Sequence, residues 1–275
     1  MAVPSPFSLK SLLAEPRPLV MGVLNITPDS FYAGGRYPDP EQALANACAM
    51  VKAGADIIDI GAESTRPYGG AVPVSIDEEL ARLAPVLPAV AALGVAVSID
   101  TMKSAVAEWA LHAGASIVND VWGLQRDPDM ARVAAEHGAP VIVMHNREKA
   151  DPSIDIMADV IGFLSRSIEI AEAAGVARDR LVLDPGIGFG KTPEQSVTVL
   201  SRLHELKRFG LPLLVGASRK RFIAAISPSE PGERLGGSIA AHVLAVLAGA
   251  KFVRTHDVAE TVQALRVAMA IRRNA

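Results

Sequence analysis

Ala53-Gly54-Ala55-Asp56-Ile57-Ile58-Asp59-Ile60 decides how this chain is read. A glycine behind an alanine-rich helical stretch is a C-cap, and here it feeds directly into a run of isoleucines suited to a strand. The phrase returns in kind as Ala113-Gly114-Ala115-Ser116 and as Ala248-Gly249-Ala250-Lys251. Working outward from these joints, strands are predicted at 19–25, 56–60, 95–100, 116–119, 141–144, 181–184, 213–216 and 252–255. Helices are predicted at 40–53, 75–93, 103–113, 128–137, 154–174, 193–209, 220–248 with an interruption at 228–232, and 257–272. A helix after every strand implies a parallel sheet. Eight such units in about 250 residues match a closed (β/α)8 barrel. The chain is therefore read as α/β, a single TIM barrel over 19–275 behind an N-terminal extension, 1–18. An open doubly wound sheet would prefer a glycine-rich turn after the first strand, where the sequence has Asn25-Ile26-Thr27-Pro28.

The 275 residues are 50% hydrophobic and 21% charged, with a formal net charge of -3. That is ample material for one large core, without the basic excess of a nucleic-acid binder. The one cysteine, Cys48, excludes an internal disulfide and reads as buried filler in a helix. The N-terminus lacks the apolar run of a signal peptide. The longest apolar stretch, 238–253, is broken by His242 and Lys251, whereas a membrane span needs about 20 apolar residues. A soluble, cytoplasmic protein without membrane or nucleic-acid partners is expected.

In a barrel of this kind the active site lies where the strands end. Strand one ends in Asn25, and strand two runs into Glu63-Ser64-Thr65-Arg66-Pro67. The next four end in Asp100, Asn119-Asp120, His145-Asn146 and Asp184; the last two end in Ser218-Arg219-Lys220 and Arg254-Thr255-His256. Desolvating that many polar groups on one rim is costly unless a ligand satisfies them. Asp100, Asn119 and Asp184 suit a heterocycle with several N–H donors. Arg66, Lys220, Arg254 and His256 suit a phosphate. A flat polar head with an anionic tail would use both sets.

Two lookalikes fail. Residues 184–192 resemble a phosphate-binding P-loop, but the position five before Gly190 is Pro185 rather than glycine. His112, His137, His204 and His242 sit on helices with no cysteine partners at zinc-ligand spacing, and read as ordinary helix residues. Trp109 and Trp122 read as packing groups.

Eight segments, taken in order, resemble the signatures of the dihydropteroate synthases across nearly the whole chain. They are Asn25-Ile26-Thr27-Pro28-Asp29-Ser30-Phe31, Gly61-Ala62-Glu63-Ser64-Thr65-Arg66-Pro67, Ser98-Ile99-Asp100-Thr101 and Val118-Asn119-Asp120. Val143-Met144-His145, Leu183-Asp184-Pro185-Gly186-Ile187-Gly188-Phe189-Gly190-Lys191, Ser218-Arg219-Lys220 and Arg254-Thr255-His256-Asp257 complete the set. The resemblance implies 6-hydroxymethyl-7,8-dihydropterin pyrophosphate and p-aminobenzoate as substrates, Mg²⁺ as cofactor, a homodimer, and inhibition by sulfonamides. It implies that Asp100, Asn119, Met144, Asp184, Phe189 and Lys220 hold the pterin. Asn25, Thr65, Arg66, Arg254 and His256 would hold the pyrophosphate, with Asn25 also a ligand of Mg²⁺. Phe31, Pro67, Ser218 and Lys220 would border the p-aminobenzoate pocket. Asp100, Lys220, Asp184 and Arg254 are the expected catalytic groups.

The sequence departs from the family's usual pattern at Ala33, where an acidic residue is expected, at Arg221, where serine is common, and at Asn146-Arg147-Glu148-Lys149. These departures bear on loop-one chemistry and on p-aminobenzoate and sulfonamide binding. They motivate a second reading, a non-catalytic pterin-binding homologue. A methyltetrahydrofolate methyltransferase is a third, though it would have little use for the cationic set.

Overall fold

Period-two alternation builds the molecule from the inside out. In a computed structural model, residues 7–27, 39–64 and 74–274 are described. The strands are β1 Leu19–Asn25, β2 Ile57–Gly61, β3 Ala96–Asp100, β4 Ile117–Asp120, β5 Val141–Met144, β6 Leu181–Asp184, β7 Leu214–Val215 and β8 Phe252–Thr255. All pair in parallel, in the order β6-β5-β4-β3-β2-β1-β8-β7. A parallel bridge between Leu183 and Leu213 joins β6 to the segment entering β7 and closes the ring. The expected (β/α)8 barrel is what forms.

The strands are buried on both faces, as parallel barrels require. Ile58, Ile60, Val97, Ile99, Val118 and Val253 belong to the larger apolar cluster, shared with the helices. Leu19, Met21, Ile57, Ala96, Ile117, Ile142, Val182, Leu214 and Phe252 form a second cluster that fills the barrel's lower interior. Two residues further along, the same inward face of β2, β3, β4, β5, β6 and β8 carries Asp59, Ser98, Asn119, Met144, Asp184 and Arg254. An apolar floor thus gives way to a polar upper layer within one step of the alternation.

The helices are α1 Leu9–Ala14, α2 Pro40–Ala53, α3 Ile76–Leu83, α4 Leu87–Ala91, α5 Ser104–His112, α6 Met130–Glu136, α7 Ile156–Ala173, α8 Pro193–Ser201, α9 Arg221–Ile226, α10 Leu235–Ala248 and α11 Val258–Arg273. The single helix predicted at 75–93 is two. Pro85 has no N–H to donate, and its ring clashes with the carbonyl four residues back, so the helix stops at Leu83. The helix predicted at 193–209 ends at Ser201 and continues as a 3-10 segment, Leu203–Phe209. The three-residue spacing of Leu203, Leu206 and Phe209 suits that tighter winding.

Within the N-terminal extension, 1–18, where no element was assigned from the sequence, α1 forms, capped by Ser8. Leu9 is buried, and Phe7, Leu12 and Leu13 pack with it against the barrel floor. Lys251 fastens this plug by donating to the carbonyls of Glu15 (2.5 Å) and Arg17 (2.9 Å). Cys48 is exposed, not buried. The inner side of α2 is set by Ala43 and Ala47, and Cys48 lies one residue round the helix from Ala47. Among the described residues no helix is long and apolar enough to cross a membrane.

Candidate active site

Arg254 organises the centre of the mouth. Its Nε donates to Asp59 Oδ2 at 2.6 Å, and a terminal nitrogen donates to Asp100 Oδ2 at 2.7 Å. Asn119 donates to the same Asp59 oxygen at 3.1 Å. One guanidinium on β8 therefore ties together carboxylates from β2 and β3 and, through Asp59, the amide of β4. Burial opposes the charge on Arg254, but Asp59 and Asp100 more than offset it and raise its pKa. Among the described residues, the second oxygens of Asp59 and Asp100, and the hydroxyl of Ser98 beside Asp59, are buried without a hydrogen-bond partner. Each such group costs roughly 1–3 kcal/mol until something donates to it.

Burial raises Asp100 to about 7, with Arg254 acting in the opposite sense. Asp184, at the end of β6, is raised to about 6 by burial, opposed by the amide of Gly186 and by Lys220 and Arg254. Gly186 N–H donates to Asp184 Oδ1 at 2.7 Å. Met144 lies beside Asp184 in the sheet register and shares an apolar cluster with Val121 and Phe189, edged by Met102 and Trp122. The Lys220 ammonium sits over the Phe189 ring, 4.0 Å from its centroid, a cation–π contact that positions the charge without neutralising it.

Other expected residues occupy less direct places. Asn25 ends β1 beside Gly61, and Gly61 itself lies against Asp100. Ser218 is buried, and its hydroxyl lies 2.9 Å from His256 Nδ1 while accepting from the His256 backbone N–H at 3.2 Å. Which of the two donates, the hydroxyl or Nδ1–H, follows the imidazole tautomer, since the serine oxygen has two lone pairs and can accept from both N–H groups. Arg219 is turned to Asp257 and holds a left-handed backbone, φ 57°. Asp120 accepts from the amides of Trp122 and Leu124 at 2.8 and 2.7 Å, so it shapes its own loop. Glu63 is engaged by Lys103 and by the amide of Val74. Phe31, Thr65, Arg66 and Pro67, and the departure at Ala33, lie outside the described residues.

Two residues were missed or undervalued in the sequence. Asp59 is fully buried beneath Arg254; its signal was a carboxylate inside an otherwise apolar strand, one step before the strand end. His242, read as an ordinary helix residue, is buried on α10 and accepts from Ala217 N–H at 3.3 Å. Burial lowers its pKa to about 4, so it supports the seventh strand's exit loop as a neutral ring.

Among the described residues no group of three or more His, Cys, Asp or Glu is placed to hold a metal ion. Asn25 offers a single neutral amide oxygen. Such a donor set fits an Mg²⁺ held mainly by the oxygens of a bound diphosphate, which is how this ion usually meets phosphate substrates.

A parallel barrel whose mouth gathers buried carboxylates, an amide and a guanidinium for a polar heterocycle defines a pterin-binding class of enzyme, and the family described as pterin binding enzyme matches residues 21–256. The chain is 46% identical over 249 residues to the dihydropteroate synthase of Bacillus subtilis, covering 90% of this chain and 86% of that one. It is 49% identical over 259 residues to a probable bifunctional folylpolyglutamate synthase/dihydropteroate synthase of Haloferax volcanii, covering 92% of this chain but spanning only 30% of that longer protein. A crystal structure of dihydropteroate synthase from Clostridium difficile, solved in the presence of pteroic acid, superposes with a TM-score of 0.90 at 47% identity, covering 94% of this chain and 98% of that one. The chain belongs to the dihydropteroate synthase family.

Proposed function

We propose that the protein is a dihydropteroate synthase, a transferase joining 6-hydroxymethyl-7,8-dihydropterin pyrophosphate to p-aminobenzoate with release of pyrophosphate. The observation that carries this reading is the meeting of Asp100, Asn119 and Asp184 with Arg254 and Lys220 in one mouth. Pteroic acid, present with the Clostridium difficile relative, is a pterin joined to p-aminobenzoate, and so combines the two halves.

In this reading Asp184, Asn119 and Asp100 accept from and donate to the polar edge of the pterin, with Met144, Phe189 and Lys220 against the ring. The methylene C–O bond breaks with its electron pair leaving on pyrophosphate. The positive charge that remains spreads into the pterin, where the Asp100 carboxylate stabilises it; preorganised charge of this sort is often the largest catalytic contribution. Arg254, His256, Asn25, Thr65 and Arg66 receive the leaving group. Mg²⁺, when bound with the diphosphate beside Asn25, neutralises its charge. The neutral aryl amine then attacks the methylene and loses its proton, so no protein nucleophile is needed. Phe31, Pro67, Ser218 and Lys220 border the p-aminobenzoate site, and Ser218 acts there chiefly by orienting His256. We place the protein in the cytoplasm, as a homodimer through α10 and α11, and expect sulfonamides to compete with p-aminobenzoate.

The test is direct. Purified protein given both substrates and Mg²⁺ is expected to form dihydropteroate and pyrophosphate, and chelation is expected to abolish turnover. Pterin binding without turnover would instead favour the non-catalytic reading. Arg254→Ala is expected to weaken transition-state or pyrophosphate binding by roughly 1.5–3 kcal/mol, the range for a charged hydrogen bond. Lys220→Ala is expected to lose both pterin binding and turnover.

A further inference from the structure

Behind the pterin-facing layer lies a buried ionic chain that the reaction itself does not use. His145, the residue after β5, is fully buried. Its Nε2 lies 2.9 Å from Asp159 Oδ2 in the first turn of α7, and its Nδ1 lies 2.6 Å from the Lys191 ammonium. Lys191 is also buried, and donates to the carbonyls of Gly186 (2.8 Å) and Phe189 (3.2 Å). Arg147 closes the far end on the other oxygen of Asp159 at 2.8 Å. The proton placement follows from donor counting. Asp159 is held ionised chiefly by its hydrogen bond from His145, so Nε2–H donates to it and Nδ1 accepts from Lys191; burial lowers Lys191 to about 7, but its three acceptors, Nδ1 and two carbonyls, call for the three N–H groups of an ammonium. The result is a cation, a neutral imidazole and a carboxylate in series.

We propose that Lys191, with His145 and Asp159 behind it, is a positioning device that sets the conformation of residues 185–190 and thereby the pterin site. The loop it clasps has no regular hydrogen-bond ladder of its own, and three of its glycines hold positive φ. A Cβ at Gly186 would overlap the carbonyl oxygen of His145, and one at Gly190 would overlap Arg147. The loop is therefore pressed onto the segment His145 to Arg147. On its other side it presents Phe189 to the Lys220 ammonium, and Gly188 leaves room for the Lys220 stem. The amide of Gly186 fixes Asp184. Lys191 draws together the carbonyls of Gly186 and Phe189 near the two ends of this short turn, and its charge also acts on Asp184, so that Asp184, Phe189 and Lys220 are held in register from behind the loop. A lysine needed only for stability would be an odd choice, because burying an ammonium is costly without such partners.

This inference rests on the proposed pterin reading, and the test separates the two. Hydrogen exchange of the amides in residues 185–190, measured without any substrate, is expected to quicken at least tenfold in Lys191→Met, while the barrel strands exchange as in the parent. In steady-state assays the same variant is expected to raise the KM for pterin pyrophosphate tenfold or more, and the KM for p-aminobenzoate, whose pocket Lys220 also borders, by less than a third of that factor. Unchanged exchange at 185–190 would overturn the proposal, as would an equal rise in both KM values. If Lys191→Met does not fold, Asp159→Asn cuts the chain at its solvent-facing end. It is expected to raise the pterin KM at least threefold and the other KM by a smaller factor, and an unaltered pterin KM would overturn the proposal. Turnover by the parent in the same assays reports on the activity independently of either variant.

Discussion

Asp59 shows how much a single inward side chain carries. It neutralises Arg254 and orients Asn119, yet it sits one alternation step below the rim. Asp59→Asn keeps the shape but removes the charge under Arg254. The expected loss in kcat/KM is about 1.5–3 kcal/mol, the worth of a charged hydrogen bond, with KM for p-aminobenzoate little affected; parental kinetics would remove Asp59 from the site. Asp184 supplies a pH prediction. Burial raises it to about 6, so its carboxylate is ionised above that value and takes up a proton below it. The KM for pterin pyrophosphate is therefore expected to rise as pH falls through about 6, and Asp184→Asn is expected to raise the KM and remove the step near 6, leaving only the titration of Asp100 near 7. The strand-end rule made Asp100, Asn119, Asp184 and Arg254 readable from sequence. It could not expose Asp59, because only the closed barrel brings β2 and β8 side chains across the interior to each other.

At the scale of elements, glycine C-caps and strand runs gave the eight units nearly residue by residue. What they did not give was decided by backbone chemistry and by tertiary contacts. Pro85 splits one predicted helix through its missing N–H. Helix α1 was invisible because its few apolar residues form no long periodic run; they are helical because the barrel floor is there to receive them. Leu9→Ala is expected to cost roughly 2–5 kcal/mol of stability, as buried leucine truncations do, read by denaturant melts with turnover near normal in the folded fraction. Stability equal to the parent's would mean that the plug is dispensable. Lys103, just before α5, joins Glu63, just after β2, to Glu79 on α3, a fastening that no local motif announces, because its members are 16–40 residues apart in the chain.

For the whole molecule, the exposed apolar side chains are concentrated late in the chain. Leu244 and Leu247 on α10, and Val267 and Ile271 on α11, are all exposed, and the two helices pack side by side. If that face joins two copies, the double variant Leu244→Glu, Ile271→Glu is expected to sediment as a monomer while the parent sediments as a dimer; identical sedimentation would exclude this face. The sheet order has a separate consequence for how the chain is made. Strand β1 takes its second neighbour from β8, with Leu19 opposite Phe252. At synthesis rates of about 5–20 residues per second, the first strand waits roughly 12–45 seconds on the ribosome before its last neighbour emerges. Throughout that interval a nascent chain offers one open hydrogen-bonding edge to any passing polypeptide, so chaperone supply and translation speed, rather than the finished protein's stability, are expected to govern the soluble yield.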